Sequence, residues 1–455
     1  MKLSRPKTLP DNAGLTAVIR ALLTNPVDAW LEKAYTESSY KIPFFGRSLI
    51  YVSDPAVVQA VLLDYQKLFP KGPVEKRILK SITGDGMFTV HGPVWRRQRR
   101  ATSGIFRQRH LATMVPVMTR SAEDSADRLR DMEPNLPFNV HDEMIAATYQ
   151  IIHYTLLAGG DGVIDEQETA TAIDQVLQSV GKPDPFDLLG LPPSVPRPWG
   201  MKARAAVRSI QKNAQRCIDH RLEYPGSDTD LLQLMLDAGD PKSGQTLDNI
   251  EIRDNLLTFI AAGHETTALA LTWSIYLLAL HPEWQSRIRR EVRDVCGREP
   301  IAAEHISELD TVARVLNESM RLYPPVPAID RVATEDIDVG ELRIAKGDFV
   351  ILGILPMHRH ERLWNYPDRF DPDRFAPDLA KSRHRFAFIP FSGGPRVCIG
   401  ARFAMMEACC ILGTLVRDFD FELENPDEPV ELVSRVTLRP KGGLSVIARP
   451  SASPN

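Results

Sequence analysis

The chain has 455 residues, a formal net charge of −4, 43% hydrophobic and 25% charged residues. That is an ordinary globular composition, and it excludes the global basic field that nucleic acid attracts. The five cysteines (Cys217, Cys296, Cys398, Cys409, Cys410) are odd in number and form no C-x-x-C pair, which excludes a disulfide scaffold and fits a reducing compartment.

The N-terminus, MKLSRPKTLPDNAG, carries no apolar stretch of the signal-peptide kind. The expectation is no membrane anchor and a cytoplasmic, bacterial-type protein. Tyr51-Val52 and their neighbours read as extended. Gly181 to Gly200 carries six prolines and reads as a loop, a candidate lid over an entrance. Asp248-Asn249-Ile250-Glu251 pairs an N-cap residue with a carboxylate three positions on, and the apolar run behind it ends at His281-Pro282. A helix over 248–281 would be about 50 Å long at 1.5 Å per residue. It holds His264 and Glu265 inside its apolar stretch, which suits a buried helix better than a membrane span.

Glu283 to Val295 is amphipathic and stops at Gly297. Asp310 to Leu322 is a further helix, stopped by Pro324-Pro325. Ile337 to Leu355, broken at Gly340 and Gly347, suits hairpins, as does Val430 to Ala448, broken at Lys441-Gly442-Gly443. Ala401 to Arg417 is apolar almost all round, as a deeply buried helix is. The expected architecture is one mainly α unit over 1–455 with a small β-rich part.

The segment Phe391-Ser392-Gly393-Gly394-Pro395-Arg396-Val397-Cys398-Ile399-Gly400 runs straight into that last helix. Glycines and proline make a tight loop of little bulk. Cys398 falls just before a helix N-terminus, where the dipole and free N–H groups favour a thiolate. A thiolate in such a setting serves as nucleophile or metal ligand, and Arg396 is a cation placed for a carboxylate. A single cysteine is usually a small buried hydrophobe. That reading is given to the other four, whereas F-x-x-G-x-R-x-C-x-G around Cys398 makes it improbable there.

This loop is similar to the haem-binding loop of the cytochrome P450 family. The resemblance implies that Cys398 is the proximal thiolate of haem b, tuned by the N–H groups after it, with Phe391, Arg396 and Gly400 shaping the cofactor site. It also implies the family's fold, with the long helix crossing the haem. Three more motifs stand in the family's order. Ala262-Gly263-His264-Glu265-Thr266-Thr267 resembles the oxygen-activating segment, so Glu265 and Thr266 would be the acid–alcohol pair that delivers protons. The alternative is that the threonines bond back to the preceding turn. His264 is expected to be packed or salt-bridged. Glu318-Ser319-Met320-Arg321 resembles the family's E-x-x-R pair, completed by Arg374, or by Arg369 because the motif D-R-F is repeated. Trp95-Arg96-Arg97-Gln98-Arg99 resembles the W-x-x-x-R helix, which implies that Trp95 and Arg99 hold haem propionates with Arg396, and His91 and Arg331 are further candidates.

The implied activity is insertion of one oxygen atom of O₂ into a hydrophobic organic substrate. No G-x-G-x-x-G follows a strand, so electrons are expected from a separate ferredoxin or flavodoxin with its reductase. Phe259, Ala262, Val326, Ala328, Ile329 and the loop from Gly72 to Val90 are expected to line the pocket. A peroxide-using haem enzyme and a haem sensor are the competing readings. Neither accounts as well for an intact acid–alcohol pair.

Overall fold

The computed structural model describes residues 3–451 apart from 73–78, 81, 158–161, 166–167, 170, 174, 176–200 and 226–229. The proline-rich stretch and part of the Gly72–Val90 loop therefore lie outside the described residues. The body is built from α1 (Leu15–Thr24), α2 (Gly92–Ser103), α3 (Val115–Asp131), α4 (Val140–Leu156), α5 (Met201–Glu223), α6 (Asn249–Leu280), α7 (Pro282–Cys296), α8 (Asp310–Leu322) and α9 (Ala401–Asp418).

Helix α6 is the axis. Its N-terminus carries the expected capping box: the Asp248 carboxylate accepts from Glu251 N–H while the Glu251 carboxylate accepts from Asp248 N–H. Its 32 residues span about 48 Å. Almost every residue from Leu256 to Leu278 is buried, because α4, α5, α8 and α9 pack around it. That explains an apolar surface with no solvent face. Among the described residues no helix is long and apolar enough to cross a membrane.

The strands are β1 (Ser39–Phe44), β2 (Arg47–Val52), β3 (Phe138–Asn139), β4 (Ala328–Val332), β5 (Ile337–Val339), β6 (Leu342–Ile344), β7 (Phe349–Gly353), β8 (Phe419–Leu423), β9 (Leu432–Ser434), β10 (Leu438–Pro440) and β11 (Ser445–Pro450). One sheet has the order β1-β2-β7-β4, with β2 and β7 parallel and Ile50 opposite Val350. A second has the order β3-β11-β8.

Two expected hairpins are corrected. Gly340 does turn one, between β5 and β6, but Gly347 only releases the chain into β7, which pairs with β2 and β4. The C-terminal hairpin turns at 435–437, joining β9 to β10, whereas Lys441-Gly442-Gly443 carries the chain away to a different sheet. Local turn residues look alike in both cases; the long-range partner decides which strands pair.

Candidate active site

The cysteine loop is closed by Cys398 N–H donating to the Phe391 carbonyl at 2.9 Å and Val397 N–H donating to the Gly394 carbonyl at 3.1 Å. Gly394 sits at φ +68°, and a Cβ there would lie 2.0 Å from the Leu62 carbonyl oxygen, so glycine is required twice over. Ser392 takes the same left-handed conformation at φ +63°, a strained one for a residue with a Cβ. Behind the loop, Ile389 N–H donates to Nε2 of the wholly buried His358 at 2.9 Å, which fixes the approach to Phe391.

That approach is anchored by the Glu318–Arg321 pair. Both side chains are fully buried, with Arg321 Nε and Nη2 donating to the two Glu318 oxygens at 2.6 and 2.7 Å. Arg321 Nη1 also donates to the carbonyls of His358 and Pro367. Arg374 Nε stands 3.5 Å from Glu318 Oε1, whereas Arg369 offers only its backbone carbonyl, to Arg321. Arg374 is therefore the third member of the cluster.

Cys398 is reached by solvent, and the other four cysteines are buried. Enclosure on its remaining sides raises its thiol pKa, opposed by the Gly400 N–H and by Arg99. Crowding at the sulfur thus opposes the pull of the helix start toward the thiolate.

Helix α2 docks on this loop. Arg99 Nη2 donates to the Val397 carbonyl at 2.9 Å, and Arg396 Nη2 to the Val90 carbonyl at 2.9 Å, with the Arg396 guanidinium 4.4 Å from the centre of the Trp95 ring. Trp95, Arg99, Arg396 and Cys398 are thereby gathered. His91, the exposed N-cap of α2, lines a recess of about 420 Å³ with Lys80, Asp85, Thr89, Val90 and Val94. Arg331 is buried on β4, pairs backbone to backbone with Lys71 and donates from its side chain to the Asp330 carbonyl. Of the remaining basic run, Arg97 pairs with Glu251 and Arg100 with Asp240, which leaves Arg96 as the exposed member.

On α6, Ala262 is exposed and Thr266, one turn on, is half-buried, on a helix otherwise enclosed here. The Thr266 hydroxyl donates to the Ala262 carbonyl at 2.7 Å, the back-bonding that sequence reasoning kept as an alternative. Glu265 is buried but not solvated. Its Oε1 accepts from Arg439 Nε at 2.5 Å and from the Thr437 hydroxyl at 3.0 Å. Sequence reasoning missed both partners, since nothing local ties the C-terminal hairpin to α6. His264 is packed, as expected, edge-on to Tyr149 at 5.9 Å, and burial pushes its pKa down to about 4. Phe259 is buried against Phe106, while Val326, Ala328 and Ile329 keep part of their surface.

Haem is a flat apolar ring with two carboxylates and an iron that needs an axial donor, and the residues present fit it. A soft sulfur is accessible at a low-bulk loop. Arg99 has no carboxylate partner among the described residues, although burial already lowers its pKa. A partly desolvated guanidinium whose partner is only a carbonyl is well placed to meet an anion.

Fold and site together define the class of haem-thiolate oxidoreductases. The cytochrome P450 family model matches residues 24–446. The chain is 32% identical to cytochrome P450 132 of Mycobacterium bovis, across 89% of this chain and 88% of that one. It is also 32% identical to a cytokinin hydroxylase of Arabidopsis thaliana, across 88% and 78%, and to the chloroplastic carotene epsilon-monooxygenase of that plant, across 89% and 78%. The crystal structure of the cytochrome P450DA heme domain superposes with a TM-score of 0.82 at 25% identity, covering 99% of both chains. The chain belongs to the cytochrome P450 family, and with it come haem and monooxygenase chemistry.

Proposed function

We propose that this enzyme inserts one atom of O₂ into a hydrophobic organic molecule at haem b, with Cys398 as the thiolate that would hold the iron and with electrons from a separate ferredoxin or flavodoxin and its reductase. Bound haem supplies the oxygen-activating redox chemistry. The chain's own residues do the rest. Arg99, Arg396 and Trp95 hold the propionates, with His91 and Arg331 as outer contributors. Gly400 N–H steadies the sulfur. Glu265 and Thr266 manage protons on the distal side, and the Glu318–Arg321–Arg374 cluster keeps the loop in place. The observation that carries the reading is the docking of Arg99 on the loop that presents Cys398, while that loop's own Arg396 reaches back to Val90, just before α2.

An apolar lining from Phe259, Ala262, Val326, Ala328 and Ile329 favours a hydrophobic substrate. Two relatives of equal identity are named for a cytokinin and a carotene, so identity at this level selects no substrate. Five free cysteines favour a reducing, cytoplasmic setting. The whole of 1–455 is read as one haem domain.

The decisive measurement is the absorption of reduced holoprotein under carbon monoxide. Wild type is expected to show the strongly red-shifted Soret band of a thiolate trans to CO, and Cys398→Ser to lose it. A wild-type protein without that band sinks the proposal. Thr266→Ala is expected to keep the band while diverting most electrons away from product, with the loss on the order of tenfold or more for a proton-delivery group.

A further inference from the structure

Early in α6, an acid and an amide are buried side by side: Asp254 is 3% exposed and Asn255 not at all. Such groups are costly in a helix unless they are bonded. Both are bonded to the backbone of another segment. Asp254 Oδ2 accepts from the Asp85 N–H at 2.8 Å, and Asn255 Oδ1 accepts from the Met87 N–H at 2.8 Å. Two glycines let that segment come so near. A Cβ on Gly84 would lie 2.2 Å from Asp254 Oδ2, and one on Gly86 would lie 2.3 Å from Thr258 Oγ1 and 2.5 Å from the Asp254 carbonyl oxygen. Gly84 is also held at φ +54°.

The segment is tied within itself as well. The Thr89 hydroxyl donates to the Gly84 and Gly86 carbonyls at 2.7 and 3.1 Å, and the Thr89 and Val90 N–H groups both return to the Gly86 carbonyl. Gln98 of α2, itself buried, donates to the Asp85 carbonyl at 3.1 Å and to Glu251 at 3.3 Å. At the far end, the Val90 carbonyl accepts from Arg396 of the cysteine loop. The run from Asp85 to Val90 is thus a strut, with the first turns of α6 at one end and a guanidinium of the cofactor site at the other.

We propose that Asp254 and Asn255 are positioning residues for the haem pocket: they hold the run 85–90 as a fixed wall and, through the Val90 carbonyl, set the bearing of Arg396. This rests on the reading that the loop from Gly72 to Val90 lines the pocket and that Arg396 meets a propionate. Neither residue touches the reacting atoms, and no bond is made or broken at either. A stretch of loop that merely filled space would need neither a buried carboxylate on its N–H nor a glycine at each close approach. The wall therefore keeps its place as a ligand enters, and the shape it offers is decided by α6 as much as by the loop's own side chains.

The test sets two probes of different reach against ferric holoprotein. Imidazole and 4-phenylimidazole both bind haem iron and move the Soret band, and only the second carries a ring that needs the wall. Asp254→Ala and Asn255→Ala are each expected to weaken 4-phenylimidazole severalfold with imidazole nearly unchanged, and to speed haem transfer to apomyoglobin severalfold. Asn255→Asp keeps an acceptor for the Met87 N–H and is expected to restore part of both. Gly86→Ala leaves the polar pair intact but blocks the approach, so it is expected to reproduce both defects; it also serves if Asp254→Ala fails to take up haem. Val18→Ala, a buried site on α1, controls for general loosening and is expected to lower the melting temperature while keeping both affinities and the haem. Wild-type behaviour in Asn255→Ala and Gly86→Ala, or the same losses in Val18→Ala, overturns the wall and leaves the enzyme reading standing. A wild-type protein without the red-shifted CO band defeats the enzyme reading instead. The wall is then judged by amide exchange at Met87, expected to be slow in wild type and fast in Asn255→Ala; equal rates overturn it.

Discussion

Glu318 and Glu407 are both wholly buried carboxyls, on helices that touch, α8 and α9. Glu318 is met by two guanidinium groups and by the Asp371 N–H; Glu407 is met by a single hydroxyl. The first arrangement is saturated and holds a loop in position. The second leaves a group that is uneasy as an anion and ready to hold a proton. Burial alone therefore does not say what an acid is for; the count of donors around it does.

Breaking the saturated side is expected to have the largest effect. Arg321→Ala leaves Glu318 as a buried charge facing only Arg374, at a cost of about 3–5 kcal/mol. Against a typical total of about 5–15 kcal/mol, that should leave little folded, haem-loaded protein, as read by thermal melting and haem content. Glu407→Leu is the mirror experiment. It removes an unpartnered buried polar group, so the melting temperature at pH 7 is expected to hold or rise. A large drop there would erase the contrast between the two acids.

Acid titration sharpens the comparison at a smaller scale. His264 and His358 are buried and neutral, with burial lowering their pKa values to about 4 and about 3. Their folded values lie below the unfolded 6.5, so their contribution is complete above pH 6.5 and lost as pH falls beneath it. Each costs about 1.4 kcal/mol per pH unit in that range. Glu407 works the other way: its folded value of about 8 lies above the unfolded 4.5, so falling pH stabilises by a similar slope. With His141 likewise lowered to about 4, three losses against one gain leave a net fall of about 2.8 kcal/mol per unit between pH 6.5 and 4.5. Urea unfolding at pH 6.5 and 5.5 measures it, and Glu407→Leu is expected to steepen the slope by about half.

The smallest effects separate the repeated D-R-F arginines. Arg374→Ala is expected to cost about 1–2 kcal/mol, since it removes one of the two cations on Glu318. Arg369→Ala is expected to stay within about 0.5 kcal/mol, because only its backbone enters the cluster. Equal costs in chemical unfolding would mean that the cluster is wrongly assigned.

Much of this was legible in the sequence wherever the cause is local. The Asp248–Glu251 box, the stop at Gly297 and the helix 310–322 follow from caps, glycine and proline, and all stand in the structure. The pattern around Cys398 pointed to the family before any fold was known. What could not be read was long-range. Strand pairing beyond Gly347 and Gly443 depended on distant partners. So did Arg439 and Thr437, which lie 174 and 172 positions from Glu265 along the chain. The crowding at the Cys398 sulfur escaped for a related reason: a helix start is visible in sequence, while the atoms packed round a thiol are not.

The β9–β10 hairpin has a consequence of its own. Leu438 N–H donates to the Pro325 carbonyl, the Leu438 carbonyl accepts from Trp273 Nε1, and Thr437 and Arg439 hold Glu265. Nine residues near the C-terminus thus stitch the middle of the longest helix to the segment leading into Val326 and Ala328. Evolutionary drift in this tip would shift the segment after Pro325 and the set of the acid in one stroke. Under the proposed roles of Glu265 and the Val326 segment, substrate range and coupling efficiency would then change together.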